Sequence, residues 1–278
     1  MKAIALMYHD VTPVGREDAS GFPGGDAARY KLTPAQFDDH LAAIRVRADR
    51  PVGVIGHLDV ERIAAPLLLT FDDGGASAAA IADRLEHVGW RGHFFMTAGY
   101  VDRPGFLTAR DLRDLHRRGH VIGSHSYSHP LRMARLPIGR LRDEWHKSVA
   151  VLADMLGEPI RTASVPGGHS SRAVAREAAR AGIRFLFTSE PIVRIRRVGD
   201  MLVIGRYVVQ RSTPPDVVAA VAAGSPAPRF RQLALWEMKK VAKTIGGAAY
   251  LAARDRWLGR SPDVTWGDDL PRLSKHAP

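Results

Sequence analysis

Leu67-Leu68-Leu69-Thr70-Phe71-Asp72-Asp73-Gly74-Gly75 is a short, almost wholly apolar run that delivers two adjacent carboxylates to a glycine turn. A run of that length, apolar on both faces, suits a parallel strand covered on each side. Ligands in α/β folds bind at the C-terminal ends of such strands, where Asp72 and Asp73 stand. Taken alone, the stretch is equally read as a strand followed by an Asp-Gly turn whose Asp caps the next helix. Similar runs occupy residues 3–7, 93–97 and 120–123, with weaker ones at 162–165, 184–188 and 201–209. Between them, helical patterns cover 33–48, entered through Thr33-Pro34, then 77–88, 108–118, 137–156 and 170–181. Thr108 with Asp111 three residues on resembles a capping box. Strands alternating with helices over about 220 residues predict an α/β domain.

The composition narrows the chemistry. The 278 residues are 45% hydrophobic and 25% charged, an ordinary globular balance that excludes extended disorder and collagen. Cys is absent, which removes thiolate catalysis, disulfides and Cys-type zinc sites, so any metal must be held by His, Asp or Glu. The net charge of +11 comes without a nucleic-acid-binding motif or aromatic interleaving, and no nucleic-acid partner is expected. No apolar run approaches the roughly 18 residues that cross a bilayer, and Lys2 and Asp10 bracket the first apolar run. Neither a signal peptide nor a transmembrane span is therefore expected, and a cytoplasmic location is.

A second apolar strand ends in Gly123-Ser124-His125-Ser126-Tyr127-Ser128-His129-Pro130. Two His four residues apart can face one way on a single helical turn and chelate one ion. With a carboxylate from the neighbouring strand end they would form a facial site that leaves room for water, the arrangement metal-assisted hydrolysis requires.

Thr70-Phe71-Asp72-Asp73-Gly74 followed by His125-Ser126 and His129 resembles the first two motifs of the NodB-type polysaccharide deacetylases, metal-dependent carbohydrate esterases. The segment His93-Phe94-Phe95-Met96-Thr97-Ala98-Gly99 is similar to the strand between those motifs, and the resemblance covers about residues 1–212. It implies an irregular, partly closed (β/α) barrel and removal of N-acetyl or other N-acyl groups from amino sugars of a polysaccharide, or of a lipid-linked glycan precursor if the C-terminal extension described below lies on a membrane. It further implies that Asp73, His125 and His129 bind a divalent metal, usually zinc, and that Asp72 is the general base.

The sequence departs from the family in two places. The family's Arg-x-Pro-Tyr-Gly motif is matched only as Ser164-Val165-Pro166-Gly167-Gly168, without the Arg that orients the base; Arg161 and Arg172 are the nearby substitutes, and the Gly167 N–H is the candidate oxyanion donor. The family's last motif ends in an acid His, where this chain carries Arg206. Met7-Tyr8-His9-Asp10-Val11 is similar to the start of the permuted poly-N-acetylglucosamine deacetylases, in which a first-strand His takes that place, so His9 is the candidate general acid and His169 the alternative. Asp10 would either orient His9 or cap the following loop. Two other readings stay open: an amidohydrolase acting on a small non-sugar amide, and a catalytically degenerate glycan-binding or scaffold protein.

Residues 1–222 are thus expected to form the catalytic domain, and 223–278 a basic, amphipathic helical extension. In that extension Phe230, Ala234, Met238, Val241, Ile245 and Ala248 share a helical stripe. The stripe is expected to dock on the main domain. The alternative is an anionic membrane surface, which would put the chain at the inner face of the membrane.

Overall fold

The structure, a computed structural model, describes residues 1–56, 65–168 and 170–245. His169 and everything beyond Ile245, Ala248 and Trp257 included, lie outside them. The strands are β1 (Ile4–Tyr8), β2 (Val52–Gly53), β3 (Leu67–Phe71), β4 (His93–Met96), β5 (Val121–Ser124), β6 (Thr162–Ser164), β7 (Phe185–Phe187), β8 (Arg196–Val198), β9 (Met201–Ile204) and β10 (Tyr207–Val208). The α-helices are α1 (Gly25–Ala28), α2 (Pro34–Arg47), α3 (Ala78–His87), α4 (Ala109–Arg117), α5 (Ile138–Leu156), α6 (Arg172–Arg180), α7 (Pro215–Ala222) and α8 (Pro226–Ile245).

One curved sheet runs in the order β10-β1-β3-β4-β5-β6-β7-β9-β8, with β2 beside β3. Every pairing is parallel except β8 with β9. This is the partly closed (β/α) barrel that the family resemblance implies.

Period two sorts the side chains. Ile4, Leu6, Tyr8, Leu67, Leu69, Phe71, Phe94 and Met96 pack outward under the helices. Ala3, Ala5, Leu68, Phe95, Phe187, Leu202 and Ile204 fill the barrel. Both faces are covered, which is why these strands read as continuous apolar runs rather than alternating ones.

Helix starts follow their local chemistry. Thr33 caps α2 and Thr108 caps α4, each in a full capping box, with the side-chain oxygens of Gln36 and Asp111 accepting from the cap backbone N–H. The left-handed Gly157 (φ 75°) ends α5.

The predicted strand over 201–209 is in fact two strands. β9 pairs with β7 on one side of the barrel and β10 with β1 on the other, so Gly205 and Arg206 carry the chain across the seam. A Cβ at Gly205 would lie 2.2 Å from the Glu190 carbonyl oxygen, so only glycine fits there. At the opposite end of the strands, a bridge between Lys2 and Arg194 draws the sheet edges together.

α7 follows with only three residues before α8, where the sequence reads as a Pro- and Gly-bearing boundary. The expected docking of the α8 stripe is not what the described residues show: Phe230 is 64% and Met238 66% exposed. The face turned to the body instead carries Gln232, whose amide hydrogen-bonds both the N–H and the carbonyl of Val208 at 3.2 Å. α8 thereby covers the edge strand β10.

Candidate active site

Asp72 and Asp73 emerge where β3 ends, level with His9 at the end of β1, since Tyr8 pairs with Phe71 and the Asp72 N–H donates to the Tyr8 carbonyl at 3.0 Å. Asp73 is left-handed (φ 77°), a strained state for a non-glycine residue that turns its carboxylate toward the end of β5. There His125 Nε2 and His129 Nε2 each lie 3.4 Å from Asp73 Oδ1. Ligand atoms of the three residues fall within 4.8 Å of one another.

The His-bearing turn is not the helical turn that its spacing predicts. Ser126 (φ 65°) and His129 (φ 57°) are both left-handed, and the turn is held from beneath by the buried Glu144 of α5. Glu144 accepts from the N–H groups of Tyr127 (3.0 Å) and Ser128 (2.8 Å) and from Ser128 Oγ (2.6 Å). Sequence reasoning missed Glu144 because it sits on a helix among other charged residues; the apolar stripe around it gave the only hint. Glu144→Ala is expected to cost about 3 kcal/mol, since a buried carboxylate with three donors leaves them unpaired. Zinc affinity should fall with it, about 10-fold or more, which thermal unfolding and a chelator competition titration would check.

The donor set fits a divalent cation. His125 Nδ1 faces the Ser164 carbonyl (3.2 Å) and Ser164 Oγ (2.5 Å), which leaves Nε2 free as a ligand atom aimed at Asp73. Burial pushes the Asp73 carboxyl up, but hydrogen bonds from His125 and His129 and the nearby charge of His9 outweigh it and hold the group well below the usual range. An ionised carboxylate with two imidazoles is a zinc-type set.

Asp72, the expected base, finds its arginine from an unexpected place. Arg206, in the seam between β9 and β10, is fully buried and grips Asp72 with both arms, Nη1 to Oδ1 at 2.6 Å and Nη2 to Oδ2 at 2.8 Å. Two further donors reach Thr70 Oγ1 (3.1 Å) and the Thr188 carbonyl (3.2 Å). Neither Arg161 nor Arg172 is needed to replace the missing motif Arg. Ser164, which stands in its place, donates to Asp72 Oδ1 at 3.1 Å and so links the base to His125. Burial raises the Asp72 carboxyl, but Arg206 above all, with His125 and His9, more than reverses this and keeps it ionised.

His9 is half-buried beside these groups, its ring 4.8 Å from that of Tyr30 and its Nδ1 without a hydrogen-bond partner among the described residues. Asp10 does not orient it. Asp10 Oδ1 accepts from Ser20 Oγ (2.5 Å) and Ser77 Oγ (2.7 Å), while Lys31 Nζ donates to the carbonyls of Glu17, Ser20 and Phe22, each at 2.7 Å. These bonds fold the glycine-rich loop 15–30 over the site and set Phe22 against His129, ring centres 4.6 Å apart. Gly167 lies in the turn after β6, three residues from Ser164, with φ 63° and a Cβ position only 2.7 Å from the Leu131 carbonyl oxygen, so glycine is required.

Comparison with known proteins agrees with this fold. Residues 60–186 match the family model for polysaccharide deacetylase. A polysaccharide deacetylase from Bacillus cereus superposes with a TM-score of 0.68 at 19% identity, over 80% of this chain and 69% of that one. The deacetylase PplD of Streptococcus pyogenes, solved with acetate, gives 0.65 at 16% identity, over 78% and 96% of the two chains. IcaB from Ammonifex degensii gives 0.62 at 22% identity, over 80% and 97%. No curated protein matches the chain by sequence. Residues 60–186 thus resemble the polysaccharide deacetylase family, and over about four fifths of the chain the fold is that of the solved deacetylases.

Proposed function

We propose that the chain hydrolyses the N-acetyl group of an amino sugar within a polysaccharide or a lipid-linked glycan precursor. The observation that supports it most is the pairing of a buried, ionised Asp72, clamped by Arg206, with the Asp73, His125 and His129 cluster at the same strand ends. Asp73, His125 and His129 would hold the metal, zinc by the chemistry of the donor set. A divalent cation there supplies an electrophile for the acyl carbonyl and makes water more acidic.

The chain's own groups perform the proton transfers. Asp72 takes a proton from the attacking water, while Arg206 and Ser164 fix the direction of its oxygens. The Gly167 N–H is the donor proposed for the oxygen that becomes negative as the acyl carbon turns tetrahedral. His9 delivers a proton to the departing amine. Phe22 and Tyr30, carried by the loop over the site, shield this exchange from bulk water.

Zinc-reloaded protein is expected to release acetate and expose free amines on N-acetylglucosamine oligomers. Asp72→Asn should lower that rate by about 10³-fold with zinc content unchanged. Absence of acetate release from every acetylated glycan tried, with turnover of a small amide instead, would replace this reading with the amidohydrolase one.

A further inference from the structure

The described half of α8 presents an apolar stripe that the fold does not use. Phe230, Leu235 and Met238 are exposed at 64%, 45% and 66%, with Ala234 and Arg231 exposed between them. The opposite face is the anchored one, through Gln232 on Val208 and the Arg229 guanidinium on the Gly224 carbonyl at 2.9 Å. The fold therefore turns the polar face inward and leaves the apolar face outward, the reverse of a helix that completes a core.

Two further observations bear on what would meet this stripe. α8 carries five basic residues, Arg229, Arg231, Lys239, Lys240 and Lys243, against the single acid Glu237, in a chain of net charge +11. The helix also advances in the direction of the strands. Gly224, just before it, abuts Ile4 at the start of β1, whereas Gln232 bonds Val208, which pairs with Met7 near the end of β1. Its later turns thus lead toward the rim that carries Asp72 and His9.

We propose that α8 docks the protein on an anionic lipid surface, with Phe230, Leu235 and Met238 entering the headgroup boundary and Arg231, exposed among them, meeting lipid phosphates. Large apolar side chains beside Arg and Lys on one exposed helix are the composition of an interfacial helix rather than of a protein–protein seam, which is depleted in Lys. Among the described residues no helix is long and apolar enough to cross a membrane. None of this depends on the deacetylase reading, and its test measures no activity.

The test is cosedimentation of the full chain with vesicles of phosphatidylcholine alone and of equimolar phosphatidylcholine and phosphatidylglycerol. The expected result is partition onto the anionic vesicles only, weakened by salt. It should fall by about ten-fold or more in the double variant Phe230→Ser with Met238→Ser. Val46→Ser, at a position 90% exposed on α2, should leave partition unchanged. Equal thermal unfolding midpoints for wild type and variants would show that the fold is intact. Failure of the wild type to bind anionic vesicles, or binding that the double variant retains, would overturn the proposal. So would a wild-type dimer that the double variant dissociates without any vesicle binding, because a second copy would then be the occupant.

Discussion

Arg206→Met is expected to lower kcat for deacetylation by about 10²-fold, with KM and zinc content close to wild type. It is also expected to destabilise the fold by about 3–5 kcal/mol. Both effects have one origin. The guanidinium is fully buried and meets Asp72 through two parallel bonds, so its removal strands a carboxylate in a desolvated seam. For a chain of this size that corresponds to a fall of roughly 10 °C in unfolding temperature. Arg206→Lys keeps the charge but not the planar fork, and only part of the stability and little of the rate should return. An unchanged kcat in Arg206→Met protein that is folded and zinc-loaded would remove Arg206 from the account as the residue that positions the base.

His9→Ala is expected to slow hydrolysis of acetylated amino sugars by about 10²–10⁴-fold, the usual share of a general acid. An amine leaves poorly without a proton, whereas a nitrophenolate leaves without one. The same variant should therefore hydrolyse p-nitrophenyl acetate within about threefold of wild type. Equal losses on both substrates would mean that His9 shapes the site through its contact with Tyr30 and gives no proton. Phe22, packed on His129 from the same loop, offers a comparison: its truncation should affect both substrates alike.

Much of this arrangement is legible in the sequence, for definite physical reasons. Strands covered on both faces must be apolar at every position, so Leu67–Phe71 and its parallel neighbours stand out from their surroundings. The capping boxes at Thr33 and Thr108 are local chemistry, complete within four residues, and are equally visible.

Arg206 is different. Its partner Asp72 is 134 residues away, and the two meet because the chain crosses the barrel seam at Gly205, where the sequence suggests one continuous strand. A single arginine among ten between Arg161 and Arg211 carries no mark of that geometry. The shape of the His turn escapes the sequence for a related reason: Ser126 and His129 are left-handed without being the glycine that usually signals such backbone, and the support from Glu144 is a tertiary contact. Asp10 and Lys31 likewise act at a distance, binding a loop whose composition indicates only that it bends.

Zinc content by elemental analysis, after reloading purified protein and removing excess metal, decides whether Asp73, His125 and His129 form a metal centre. About one tightly held ion per chain is expected in wild type, Asp72→Asn and Arg206→Met, with loss of that ion in Asp73→Ala, His125→Ala and His129→Ala. Metal-free wild type, or an ion that persists when any of those three residues is removed, would contradict that assignment.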